Sequence, residues 1–345
     1  MTKTFLKITK ILGIGIVSVL LSVVLLWIVL SIITPLRVPD SNSVDYVKGV
    51  WMPDPRDVFQ SYFEMNRMKG DGINTLSIGP FAINHVFSIV QKPFYAAYVK
   101  KAHRKGFVVH MAVNSWGPWT DTKMDHSEMK DYLTKEANYW AQFSEKYNIE
   151  YFSPQNEHDV LLGTKVGAEW AQEILPQIRD LYKGEVVLKV GQIFTDQDTD
   201  FDYDINIKSF TDEEMNMSVR FSDASGYDYL MIDIFPTDIE ERNDLFLDDL
   251  GSILNIANEE VEKKDLKGVM IGEFAYPLYK PSYSEEIMPG AVVTEEDQAK
   301  YIADYLDVAM PNVNGVIYCG WSMKGYGFRG YPAEDVIKKM FNNNL

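Results

Sequence analysis

The sequence predicts a (β/α)8 barrel of the TIM type preceded by one N-terminal transmembrane helix, on three observations. Short β-branched or aromatic runs alternate eight times with longer helix-like segments, the order of a parallel sheet with crossover helices. Several of those runs are almost continuously apolar, as strands covered on both faces must be. Ahead of them, residues 11–33, ILGIGIVSVLLSVVLLWIVLSII, carry no charge over 23 positions, enough to cross a bilayer core as a helix.

The apolar segment is read first because it sets the compartment. Lys3, Lys7 and Lys10 precede it and only Arg37 follows closely, so the bias of basic residues places 1–10 in the cytoplasm and the rest outside. A cleaved signal peptide is the competing reading. Its apolar region would be shorter and end at a small-x-small site, whereas this one ends SIITPLRVP. Residues 34–47 include the polar, proline-punctuated stretch VPDSNSVDYV and suit a tether. Residues 48–345 then form one catalytic-size domain at the cell membrane, held by a single pass and extracytoplasmic.

The eight strands are expected at Gly49–Met52, Ile73–Ile78, Phe107–Val113, Ile149–Ser153, Val186–Val190, Tyr229–Ile234, Gly268–Gly272 and Gly315–Gly320. Between them, helices are expected at Pro55–Lys69, Pro93–Lys105, Ser127–Tyr147, Gly167–Tyr182, Ile239–Lys264 and Thr294–Met310. An open doubly wound sheet would show a glycine-rich phosphate loop after its first strand, and none is present.

Composition narrows the partners. Of 33 basic and 50 acidic residues, four basic and no acidic ones fall within the first 37 positions, which leaves 29 against 50 and a balance of −21. Such a surface repels nucleic acid and favours a neutral or cationic ligand. With Cys319 as the one cysteine, no intrachain disulfide forms. A monomer is expected, with no cofactor. The run Asp196-Gln-Asp-Thr-Asp-Phe-Asp-Tyr-Asp204 resembles the start of a calcium loop, but it lacks the sixth-position glycine and has Ile207 at the twelfth, so a solvated loop is preferred. His110 and His158 lack the clustered partners of a zinc site.

A barrel of this kind carries its chemistry at the C-terminal ends of the strands. Two glutamates stand there: strand four runs into Ser-Pro-Gln-Asn156-Glu157, and strand seven runs Gly268-Val-Met-Ile-Gly-Glu273. Either acid alone could cap a helix or face water. Strands four and seven, however, oppose each other across an eight-stranded barrel, and two facing carboxyls are the minimal equipment for glycoside hydrolysis.

With these residues in view, the chain resembles the clan A glycoside hydrolases, whose barrels carry Asn-Glu after strand four and a second Glu ending strand seven. Gly315-Val-Ile-Tyr-Cys-Gly-Trp321-Ser is similar to that clan's strand eight with its aromatic floor. The resemblance implies a retaining hydrolase in which Glu157 is the acid/base and Glu273 the nucleophile, of the family 113 and family 5 mannanase and glucanase types. It further implies that Asn156 bonds a sugar 2-hydroxyl and that Trp321 stacks on a sugar ring. Asn114, Trp116 and Trp119 follow strand three and are candidates for the same cleft, and Asp233 ends strand six where many clan members place an aromatic or histidine. The alternatives are a non-catalytic surface carbohydrate-binding barrel and an envelope transglycosylase using the same residues.

Overall fold

A computed structural model describes residues 42–53, 55–80, 85–115, 126–191, 224–235, 243–276, 278, 294–323 and 326–343. The apolar segment 11–33, Trp116, Trp119 and the Asp196–Asp204 run lie outside these residues. Among the described residues no helix is long and apolar enough to cross a membrane.

Eight strands, β1 (Val47–Met52), β2 (Thr75–Ile78), β3 (Val108–Ala112), β4 (Tyr151–Ser153), β5 (Glu185–Val190), β6 (Tyr229–Asp233), β7 (Gly268–Phe274) and β8 (Gly315–Cys319), pair in sequence order. Each is parallel to the next, and β8 returns to β1 through Val47↔Gly315 to Trp51↔Cys319, closing the barrel. The fold class expected from alternation is thus the one observed.

Around the barrel lie α1 (Pro55–Gly70), α2 (His85–Arg104), α3 (His126–Lys146), α4 (His158–Leu162), α5 (Thr164–Leu181), α6 (Asn243–Lys263), α7 (Glu295–Ala309) and α8 (Pro332–Asn342). Strand residues are buried on both faces, and the layer between barrel and helices is filled by large side chains such as Tyr98, Trp140, Trp170 and Tyr305. His110 takes Ser77 Oγ at 2.7 Å on one ring nitrogen and Ser153 Oγ at 2.9 Å on the other. Burial, helped by the nearby Lys189 charge, pulls its pKa down to about 3, so the imidazole is neutral.

Three departures from the sequence expectation have a local reason. The second helix begins at His85 and carries Pro93 inside it, whereas the sequence pattern puts the proline at its start. After β4 there are two helices, because Gly163 at φ 74° breaks the chain between α4 and α5. Finally, β7 continues past Gly272 to Phe274, so Glu273 lies within the strand.

Candidate active site

The C-terminal ends of β4 to β7 converge on one side chain that is not among the candidates drawn from the sequence. Lys189, the fifth residue of β5, is fully buried. Its ammonium donates to Asn156 Oδ1, to Asp233 Oδ2 and, at 2.6 Å, to Glu273 Oε1. Its three N–H donors are therefore all used. The Trp51 ring of β1 lies 5.2 Å from the same nitrogen. Burial pulls the lysine pKa down, and Asp233, Glu273 and Glu157 more than reverse it, so Lys189 is held charged. The signal was present in Glu-Val-Val-Leu-Lys-Val, since a lysine inside an apolar strand is tolerated only when paired.

Backbone irregularity puts the acids around that charge. The β6–β7 register shifts after Ile232↔Ile271, so that Asp233 pairs with Glu273. The β7–β8 register shifts again between Ile271 and Phe274. Gly272 is essential to this geometry: a Cβ there would stand 2.9 Å from Lys189 Cε and closer still to the Asp233 carboxylate and Met231. Asp233 is completely buried, and its Oδ1 has no hydrogen-bond partner among the described residues. Burial raises its pKa well above the ordinary range; Lys189 opposes this, while Glu273 and Glu157 add to it.

Glu157 is held differently. It is half-buried and directly precedes α4 with φ 53° and ψ 52°, a left-handed conformation that glutamate adopts only at a cost of roughly 1–2 kcal/mol. Its Oε2 accepts from Asn156 Nδ2 at 3.4 Å, so Asn156 links it to the lysine. Burial first, and then the negative charge of Glu273, raise the Glu157 pKa to about 8, against the opposing pull of Lys189. One carboxyl thus touches an ammonium while the other is pushed toward its protonated form. On the far side of Glu273 the buried Cys319 thiol is raised well above its ordinary value, by burial and then by that carboxylate.

Asn156 and Asp233 therefore join Glu157 and Glu273 in one hydrogen-bonded cluster. Asn114 is buried against Gly79, as is the Trp51 ring: a Cβ on Gly79 would lie 2.6 Å from that ring and 3.0 Å from Asn114 Cβ. The loops are also tied together, with Ser115 Oγ donating to Gln155 Oε1 at 2.8 Å and the Asn156 N–H to Val113 O at 2.7 Å.

Trp321 does not join them, and the expectation of a stacking floor there is corrected. Gly320, at φ 88°, turns the chain away at the end of β8. The Trp321 N–H then donates to Asp57 Oδ2 of α1 at 2.9 Å, and its indole N–H to Glu64 Oε2 at 2.8 Å. The ring is fully buried, edge-on to Phe328 at 5.3 Å, with no face left to offer a ligand. Among the described residues, Trp51 is an aromatic that does reach the charged cluster.

Among the described residues no group of three or more His, Cys, Asp or Glu is arranged to hold a metal ion. A cavity of about 360 Å³ lies at the other end of the barrel, between Asn42, Glu150 and Glu185, away from this chemistry.

No family model matches the chain, and no curated protein matches it by sequence. Solved structures do resemble it. A GH113 β-1,4-mannanase superposes with a TM-score of 0.59 at 15% identity, over 87% of this chain and all of the other. A GH113 β-mannanase from Alicyclobacillus acidocaldarius gives 0.57 at 12% identity over 87% and 98%. An endoglucanase gives 0.59 at 12% identity over 86% and 97%. At these identities the likeness establishes a shared fold: the chain is built on the same TIM barrel as these glycoside hydrolases.

Proposed function

We propose that the chain is a retaining β-glycoside hydrolase, with Glu157 as acid/base and Glu273 as nucleophile. The observation that carries this reading is the unequal environment of the two glutamates: Glu273 is bonded to the Lys189 ammonium, while the Glu157 pKa is raised to about 8. An acid that must arrive protonated near neutral pH and a carboxylate that must stay ionised need that difference.

In the first step a Glu273 oxygen attacks the anomeric carbon as the glycosidic bond breaks, and the departing oxygen takes the Glu157 proton. In the second, water gives a proton to Glu157 and attacks the same carbon, releasing Glu273 and leaving the configuration unchanged. Lys189 positions Glu273 and balances its charge. Asn156, joined to both Glu157 and Lys189, meets the sugar hydroxyl next to the reacting carbon in this reading. The Trp51 ring packs beside the Lys189 ammonium, and Asp233 pairs with it.

The names of the structural neighbours, mannanase and endoglucanase, favour a β-mannan or β-glucan type of substrate. The uncharged segment 11–33 with lysines before it supports a single-pass anchor and an extracytoplasmic domain. The test is a screen of the full chain in detergent against β-mannan, β-glucan, galactan and chitin oligosaccharides, with chromatography of the products. Shorter products support hydrolysis, longer ones indicate transglycosylation, and binding without turnover of any glycan overturns the catalytic reading.

A further inference from the structure

The chain is acidic overall, yet its acids are unevenly spread. From Gly72 to Thr120, 49 consecutive residues contain no Asp or Glu and five Lys or Arg, in a protein with 50 acids in 345 positions. The helical part of this stretch is α2, which ends Lys100-Lys101-Ala-His-Arg104 and is followed by Lys105.

Next to this basic end lies an unusual apolar surface. Phe59 and Phe63 of α1, 44% and 63% exposed, are the exposed large hydrophobic side chains among the described residues. They touch edge-on at 5.2 Å, and Phe94 of α2 stacks on Phe59 at 6.4 Å. The Lys101 ammonium bonds Tyr62 O, lies 3.8 Å from the Tyr62 ring and reaches to 5.6 Å from Phe63, so charge and aromatic surface are continuous. Lys69, bonded to Gly106 O, extends the basic rim. Two acids close to this face are committed elsewhere: Glu64 to Arg329 and Trp321, Glu150 to His103 and backbone N–H groups.

The chain enters the domain at the same place. Asn42 Nδ2 donates to His103 O and Phe107 O, beside the last turn of α2. Only residues 34–41 separate this point from the apolar segment 11–33, a reach of at most about 30 Å. We infer that the α1–α2 face rests on the membrane that anchors the chain, with Phe59 and Phe63 entering the interface and Lys69, Lys100, Lys101, Arg104 and Lys105 meeting anionic lipid headgroups. An aromatic pair rimmed by bases is the composition such an interface selects, while the acidic remainder of the domain is repelled from it. This rests on the reading of 11–33 as a membrane span.

The full chain reconstituted in vesicles tests it. Phe63→Cys, and separately Glu259→Cys on α6 across the barrel, are labelled with an environment-sensitive fluorophore; the native Cys319 is buried. In phosphatidylcholine vesicles containing phosphatidylglycerol, the Phe63 label is expected to shift to the blue and to be quenched by spin-labelled lipid, while the Glu259 label stays aqueous. Changing Lys100, Arg104 and Lys105 to Glu should remove the shift, weakening contact about fivefold for each basic charge lost, and salt should do the same. A Phe63 label as wet as the Glu259 label, in vesicles with which the chain still floats, overturns the docked face and leaves the anchor standing. A chain that does not float overturns both.

Discussion

Lys189 bonds Glu273 and not Glu157, and its replacement is the most informative single change. Lys189→Met leaves Glu273 and Asp233 buried without their cation. The expected result is a loss of roughly 3–5 kcal/mol in denaturant unfolding and about a hundredfold in kcat. Glu157 yields a prediction in pH. Its folded pKa of about 8 lies above the ordinary 4.5, so its contribution to stability is fully present below about pH 4.5 and is lost as pH rises through about 8. Glu157→Gln should therefore match the parent at pH 4 and exceed it at pH 9 by on the order of 2 kcal/mol in unfolding experiments. In the parent, kcat/KM should fall as pH rises through about 8, where the acid loses its proton. Trp321→Phe removes the bond to Glu64 and should lower stability by about 1–2 kcal/mol with KM unchanged. A raised KM at normal stability would restore the stacking role. The two catalytic candidates were legible because a carboxyl at a strand end is visible in one dimension. The Trp321 environment was not, because the turn at Gly320 that sends the ring outward is a matter of backbone torsion. Lys189 was legible in principle, as a charge inside an apolar strand.

At the scale of elements, the irregularity of β6 and β7 shapes the site. Gly272→Ala should force Asp233, Met231 and Lys189 apart. We expect about 1–3 kcal/mol of destabilisation and a fall in kcat larger than the change in KM, measured on the same preparation. An unchanged kcat would mean that the bulge is not needed to hold Glu273. Strand positions were legible throughout, because burial on both faces forces continuous apolar runs such as Val-Met-Ile in β7. What pattern could not supply was register: the shifts at Ile232/Asp233 and Ile271/Phe274 depend on which neighbour each strand meets, and they bring Asp233 opposite Glu273. Helix ends were read less well. Pro93 sits inside α2 and not at its start, because the wall of the barrel outweighs the loss of one backbone hydrogen bond.

At the scale of the whole molecule, closure of the barrel was legible from eight alternations and from the absence of a phosphate loop. The substrate was not, since the loops that select it carry no periodic pattern. The proposed topology makes its own prediction: protease added to intact cells should remove the domain, and protection until lysis would place it inside. The central claim is the pairing of two roles with two residues, and azide rescue with an aryl β-glycoside bearing a good leaving group tests it most directly. With Glu157→Ala, azide should attack the glycosyl-enzyme and yield a β-azide; with Glu273→Ala, it should fill the vacated space and yield an α-azide. Exchanged products would exchange the roles, and full activity in either variant would contradict the assignment of the site.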